Sequence, residues 1–268
     1  MARWNLRRAI EVATLMREQW PERAAEIFGQ IALDEVELEE WGKAAETLAT
    51  GVNVKTGLIE QFTGYFDLEK IDLRQYASRL TPMDVVLGRE RTKRSQIIKQ
   101  ADVVALLALL PEEFDRKSKV VNFRYYEPRR DHGSSLSPAM HAMVAARLGD
   151  TQLALRYFGE AASIDLADDV AISAGGIHIA TLGGLWQAAV FGFAGLSLLD
   201  DAIALDPQLP TQWNSLGFCL QWRGRHLRVI IERESKQRDA KALRAKYLLS
   251  ATLEEGGTIE TDRGWGGA

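Results

Sequence analysis

Residues 125–150, YYEPRRDHGSSLSPAMHAMVAARLGD, gather more groups able to do chemistry than any other stretch of the chain. A turn dense in small hydroxyl residues, Ser134, Ser135 and Ser137, opens into a run where Met140, Met143, Val144 and Leu148 recur at helical spacing until Gly149. Serine is a favoured N-cap, so the spacing predicts a helix that starts at these serines. Its first turn would offer free backbone N–H groups and the positive end of the helix dipole, with two hydroxyls and His132 alongside. Such an end is a site for an oxyanion such as phosphate. The same residues also read as an ordinary serine-capped helix that binds nothing, and the Ser-Ser dipeptide alone does not separate the two.

The elements that must position this stretch are mostly helical. Leu6, Ala9, Ile10, Ala13, Met16 and Trp20 fall on one face of a first helix, which has no N-cap and carries Arg3, Arg7 and Arg8 at its positive end. A second helix has Pro21 in its first turn. A third starts at Asp34 with Glu37 three residues on, a capping-box-like pair, and is expected to end at Gly51. The glutamates between Glu35 and Glu46 suit a solvated, dipole-complementing surface. Residues 51–81 are irregular and aromatic, with Phe62, Tyr65 and Phe66 among carboxylates and amides, a composition that fits either a sugar-lining loop or a packed one. Residues 89–94 read as a charged connection to a helix over 95–110, apolar nearly all round except at Lys99, Gln100 and Asp102. Lys99 there could snorkel, pair with a carboxylate or meet a ligand.

Residues 151–164 form a further helix. A glycine cluster, Gly175 and Gly176, then precedes His178 and a helix through Trp186 and Phe193, with Gly183 and Gly184 inside it. A glycine in a helix interior costs about 1 kcal/mol against alanine, so close packing or approach to a ligand is the expected compensation. His178 taken alone reads as a structural histidine. From Gly195 onward the period becomes two: Leu216, Phe218, Leu220 and Trp222, then Leu227, Val229 and Ile231 after the Arg223-Gly224-Arg225 turn, predict a β-hairpin. The last residues, GGTIETDRGWGGA, read as a loose end.

Composition excludes several classes. The 268 residues are 46% hydrophobic and 26% charged, an ordinary globular balance, and a net charge of −4 without a concentrated basic face argues against nucleic acid. The one cysteine, Cys219, offers no disulfide framework and no metal pair, and there is neither a signal-peptide layout nor an apolar run of membrane-spanning length. A cytoplasmic location with no membrane partner is the expectation.

HGSSLSPAMHAMVAARLGD, taken with YYEP before it and HIATLGGLWQAAVFGFAGL at 178–196, resembles the inverting disaccharide phosphorylases of glycoside hydrolase family 65, which act on maltose, trehalose or kojibiose. LIEQFTGYFDLEKIDL at 58–73, IIKQADVVALLALLP at 97–111 and the segment 206–210 followed by Trp213 extend the resemblance over most of the chain. It implies a mainly α fold: the C-terminal half of an (α/α)6 barrel over 1–196, then a small β domain over 197–268. It implies phosphate binding by Ser134, Ser135 and His178, and contact of Lys99 and Gln100 with hydroxyls of the transferred glucosyl unit. No cofactor or metal is expected, with inorganic phosphate as co-substrate beside the disaccharide. MARWNLRRA resembles the continuation of the family's segment after its general-acid glutamate, so the acid is expected upstream of Met1. The chain departs from many relatives in reading Gly-Gly-Ile-His where they have an acidic residue two before the isoleucine.

Two rival readings remain open on sequence. A hydrolase of the same fold would use a carboxylate to activate water, with Glu127 and Asp131 as nearby candidates. A non-catalytic product would bind sugar or another chain. On the family reading the chain by itself is expected to lack activity and expose apolar inner helix faces, favouring self-association or association with an N-terminal half.

Overall fold

In the computed structural model the described residues are 1–76, 81–131, 134–166, 176–199, 202–233 and 247–253. His132, Gly175 and the C-terminal stretch 256–268, all singled out in the sequence, lie outside the described residues. The chain divides into two units, one of Met1–Lys55 with Ile59–Thr63 and one of Thr56–Leu58 with the residues from Gly64 onward.

The first unit holds α1 (Ala2–Gln19), α2 (Pro21–Ile31) and α3 (Glu35–Thr47). Pro21 opens α2, and the Asp34 side chain caps α3 by accepting the Glu37 N–H at 2.8 Å. α1 has neither a capping side chain nor an acidic residue in its first turn. It lies against α2 and α3, and the buried residues of these three helices are Ala13, Ala24, Leu38 and Ala45. Gly51 does not end α3, which stops at Thr47. Its positive φ of 67° instead serves a backbone pair with Glu60, whose N–H donates to the Gly51 carbonyl at 2.8 Å. A Cβ there would lie 2.7 Å from the Glu60 oxygen, so only glycine fits.

In the second unit an irregular segment carries two short helices, α4 (Met83–Val86) and α5 (Arg89–Lys93). Its aromatic residues are partly core: Tyr65 is buried and donates its hydroxyl to the Gln96 carbonyl at 2.8 Å. The buried Gln96 amide binds the Phe66 carbonyl, and its oxygen accepts from the Tyr125 hydroxyl and Arg129 Nε. This one amide replaces secondary structure as the organiser of the loop.

The main helices are α6 (Asp102–Leu109), α7 (Arg116–Tyr126), α8 (Ser137–Leu148), α9 (Thr151–Leu166) and α10 (Ile179–Gln187), continued by a π-helical turn, Ala188–Phe193. The helix predicted over 95–110 begins only at Asp102. Residues 95–101 are instead irregular, with isolated bridges of Glu69 with Ser95 and Ile98 with Arg130, because their backbone groups find partners there. α7, capped by Asp115, carries no clean apolar stripe and was not legible in the sequence. α8 is the centre: residues 137–139 and 141–146 are buried, and α6, α7, α9, α10 and the π-turn all pack on it. Gly184 and Gly192 allow the closest approach. A Cβ on Gly184 would lie 2.8 Å from Ala139 Cβ, and one on Gly192 3.0 Å from Met143 Cα. Gly183 has no such neighbour.

The chain then turns to strands. β1 (Leu196–Leu198) and β2 (Ile203–Leu205) form a two-stranded antiparallel pair, and β3 (Ser215–Trp222), β4 (Arg225–Arg233) and β5 (Tyr247–Leu253) a three-stranded antiparallel sheet in that order. The predicted hairpin is β3–β4, with Trp222 opposite Arg225 and both turn residues, Arg223 and Gly224, at positive φ as a two-residue hairpin requires. Leu227, Val229 and Ile231 are buried on β4. β1, β2 and β5 lie within the stretch read as β but were not legible as individual strands, being short or joined by long connections.

Gly195, at φ 63°, begins the β part, and a Cβ on it would lie 2.0 Å from the Asp206 carbonyl oxygen. Gly195→Ala should therefore cost about 2 kcal/mol or more, from left-handed strain and overpacking together. Urea unfolding of the two chains measures this, and equal midpoints would refute the close approach.

Candidate functional site

The site is built where α8 begins. The helix starts at Ser137, with Leu136 in the N-cap position and no side-chain capping bond. The serine-capped reading is therefore corrected: neither Ser134 nor Ser135 caps α8, and Pro138 in the first turn leaves less to be capped. Both serines are half-buried just ahead of the helix. Ser137, by contrast, is committed to the interior. Its carbonyl accepts from His141 Nδ1 at 2.8 Å, and the His141 ring is fully buried against Tyr157 and Phe123, a structural histidine.

α10 begins beside the same segment. Its first-turn residue Thr181 is completely buried and donates its hydroxyl to the Ser135 carbonyl at 3.2 Å. Ser135 and His178, 43 positions apart, are thus joined through a residue three places beyond His178, and the Gly184–Ala139 contact holds the two helix starts together. His178 is the N-cap residue of α10, and its carbonyl accepts from the Thr181 and Leu182 N–H groups. Its side chain remains 36% exposed.

Asp165, at the end of α9, holds His178 by two bonds. Oδ2 accepts the His178 backbone N–H and Oδ1 lies 2.9 Å from Nδ1. The Asp165 side chain is 4% exposed. No sequence reading singled out Asp165 or Thr181. Asp165 sits 13 residues before its partner in sequence, a separation that carries no local pattern.

Lys99 and Gln100 are exposed and lie before α6, not on it. The Ile98 N–H donates to the Arg129 carbonyl at 2.9 Å and its carbonyl accepts from the Asp131 N–H at 2.8 Å. The segment bearing Lys99 and Gln100 thus runs beside the one that leads to Ser134.

The two candidates for a hydrolase's water-activating carboxylate are both hydrogen-bonded within the fold. Glu127 accepts the Tyr157 hydroxyl and lies 3.5 Å from Arg156. Asp131 is 2% exposed and accepts the Met83 N–H with both oxygens, 3.2 and 3.3 Å, at the start of α4. Next to them the buried Arg130 pairs with Glu160 and stacks over the Tyr157 ring at 4.7 Å. Burial, and next the hydrogen bond to Glu127, push the Tyr157 phenol well above its usual value. Among the described residues no group of three or more His, Cys, Asp or Glu is placed to hold a metal ion.

Residues 1–187 match the glycosyl hydrolase family 65 central catalytic domain, and residues 196–237 match the family's C-terminal domain. The chain belongs to glycosyl hydrolase family 65. It is 38% identical over 234 residues to the kojibiose phosphorylase of Halothermothrix orenii, covering 87% of this chain and 30% of that protein. It is 32% identical to the alpha,alpha-trehalose phosphorylase of Thermoanaerobacter brockii, covering 88% and 30%. With the 1,2-alpha-glucosylglycerol phosphorylase of Bacillus selenitireducens identity is 39%, covering 80% and 30%. A solved structure, described as a candidate kojibiose phosphorylase from the human microbiome, superposes with a TM-score of 0.75 at 28% identity, over 85% of this chain and 32% of that one. The chain spans 30% of the length of these curated relatives. The fold is mainly α with a small antiparallel β part after it, as anticipated for the family.

Two outcomes follow from this geometry. Thr181→Val keeps the shape but leaves the Ser135 carbonyl without its donor, and should cost about 1–3 kcal/mol in urea unfolding; no loss would mean that the bond does not tie the two helix starts. Because the folded state favours neutral Tyr157, its contribution is complete below the ordinary phenol value near 10 and is lost as pH rises above it. Stability should therefore fall more steeply with alkaline pH in the natural chain than in Tyr157→Phe, and parallel pH profiles would contradict the buried phenol.

Proposed function

We propose that this chain carries the phosphate-holding and glucosyl-holding part of an inverting disaccharide phosphorylase. In that reaction an acid protonates the glycosidic oxygen while a phosphate oxygen attacks the anomeric carbon from the opposite face. The glycosidic bond breaks as the new carbon–oxygen bond forms, giving β-glucose 1-phosphate and the free acceptor sugar. Phosphate is itself the nucleophile, so the protein needs no general base but must hold a dianion in the attacking position.

The observation that carries this reading is the meeting of two helix starts, α8 and α10, beside serines that cap neither helix and a histidine fixed from behind. Two positive dipole ends, the Ser134 and Ser135 hydroxyls and His178 Nε2 are complementary to one phosphate. Lys99 and Gln100, on the segment alongside, are assigned to hydroxyls of the transferred glucosyl unit. The hydrolase alternative is disfavoured by the bonds that occupy Glu127 and Asp131.

The rest of the assignment follows the relatives. Residues 1–196 belong to the barrel and 197–268 to the β domain. The proton donor is assigned to a glutamate outside residues 1–268, in the portion of the family's sequence that precedes the matched one; phosphate is the co-substrate, no cofactor is required, and the enzyme is placed in the cytoplasm. Kojibiose, trehalose, nigerose and glucosylglycerol are the substrates to try, since the relatives' names include phosphorylases for all four.

The test is phosphate-dependent release of β-glucose 1-phosphate from that panel, with this chain alone and with the family's preceding portion supplied. Turnover is expected only with both parts. Ser135→Ala should lower the phosphorolytic rate about 10²-fold, the scale for losing one donor to a reacting oxyanion, with the loss concentrated in the dependence on phosphate. Release of free glucose without phosphate would overturn the phosphorylase reading in favour of hydrolysis.

A further inference from the structure

We propose that Asp165 is a positioning residue for phosphate: it fixes both the orientation and the tautomer of His178, so that Nε2 is the nitrogen presented to the anion. The proposal rests on the phosphate site argued above and extends it to a residue on a different helix.

The geometry is a two-point clamp. One carboxylate oxygen takes the backbone N–H of His178 and the other faces Nδ1, both at 2.9 Å. The carboxylate of an ionised aspartate only accepts, so the hydrogen must sit on Nδ1. The backbone bond fixes where the ring's Cα stands, and the side-chain bond fixes its rotation, leaving no freedom to exchange the two nitrogens. Nε2 takes no partner among the described residues. In the neutral ring it accepts from the O–H of monohydrogen phosphate, and in the imidazolium it donates to a phosphate oxygen, with the Asp165 charge behind it balancing the added proton. A ring of the other tautomer would turn a hydrogen-bearing Nε2 to the ligand and a lone pair towards the carboxylate, which repels it.

Burial makes Asp165 a poor candidate for a merely decorative pair. Its side chain is 4% exposed while His178 is 36% exposed, so the carboxylate stands behind the ring and the ring stands towards solvent, where a ligand arrives. An exposed ion pair would be open on both sides. This is the arrangement by which a second group, itself out of reach of a ligand, orients a histidine that touches it.

The experiment uses the 268-residue chain labelled with ¹⁵N-histidine, whose four histidines include His178. Nitrogen shifts of the neutral ring report which nitrogen bears hydrogen, and titration with inorganic phosphate reports binding at the same ring. In the natural chain His178 should show hydrogen on Nδ1 and respond to phosphate. Asp165→Asn, which can offer an N–H to Nδ1, should shift the population towards the Nε2–H form and weaken the phosphate response ten- to a hundred-fold, on the order seen when a ligating histidine loses its orienting partner. Asp165→Glu should restore the Nδ1–H form at least in part, a rescue that a space-filling role would not give, and its own tautomer serves as the readout if the asparagine variant does not fold. An Nδ1–H population unchanged in Asp165→Asn, or lost in Asp165→Glu, overturns the positioning role while leaving the phosphate site standing. A His178 ring that ignores phosphate in the natural chain, whatever its tautomer, overturns the phosphate reading itself.

Discussion

The second unit depends on how closely α10 and the π-turn approach α8. Gly184 stands where any side chain would collide with Ala139, and Gly192 where it would collide with Met143. Helices separated by alanine and glycine side chains bring their backbones close enough for the polar groups at their ends to meet. Thr181 reaches the Ser135 carbonyl only because of this approach. A larger residue at Gly184 would move α10 outward and part the two helix starts, and with them the serines and His178. The helix-propensity penalty of a mid-helix glycine is thus offset by the contact it permits.

A second layer of constraint lies behind the first. Arg130 is buried with Glu160 and Tyr157, Glu127 holds Tyr157 and Arg156, and Asp131 caps the start of α4. Buried charges of this kind are weak sources of net stability, but removing one partner costs about 3–5 kcal/mol by stranding the other. Their effect is to specify a single path for residues 127–131, which lead straight into the serine turn. The same contacts engage the Glu127 and Asp131 carboxylates with the Tyr157 hydroxyl and the Met83 N–H. Gln96 does similar work for residues 65–69, where an irregular chain is held by one buried amide.

Much of this was legible in one dimension. The amphipathic face of α1, Pro21 and Asp34 at helix starts, Gly149 at a helix end and the Arg223-Gly224 hairpin turn are local effects, each settled by steric preference or by a bond three residues long. Repeated motifs in family order did the rest, and the family they named is the one to which the chain belongs.

What only the tertiary structure decided are the relations between distant residues. Sequence placed the start of α8 at the serines, and Ser137 does open it, but Leu136 rather than a serine takes the N-cap position while the Ser135 carbonyl is bonded to Thr181 of α10. Sequence extended a helix over 95–110, but the backbone at 95–101 finds better partners at residues 69 and 129–131, which periodicity cannot see. Asp165 had no signal at all. A carboxylate 13 residues from a histidine is one of many such pairs in any chain, and only the packing of α9 against α8 and α10 turns this one into a clamp.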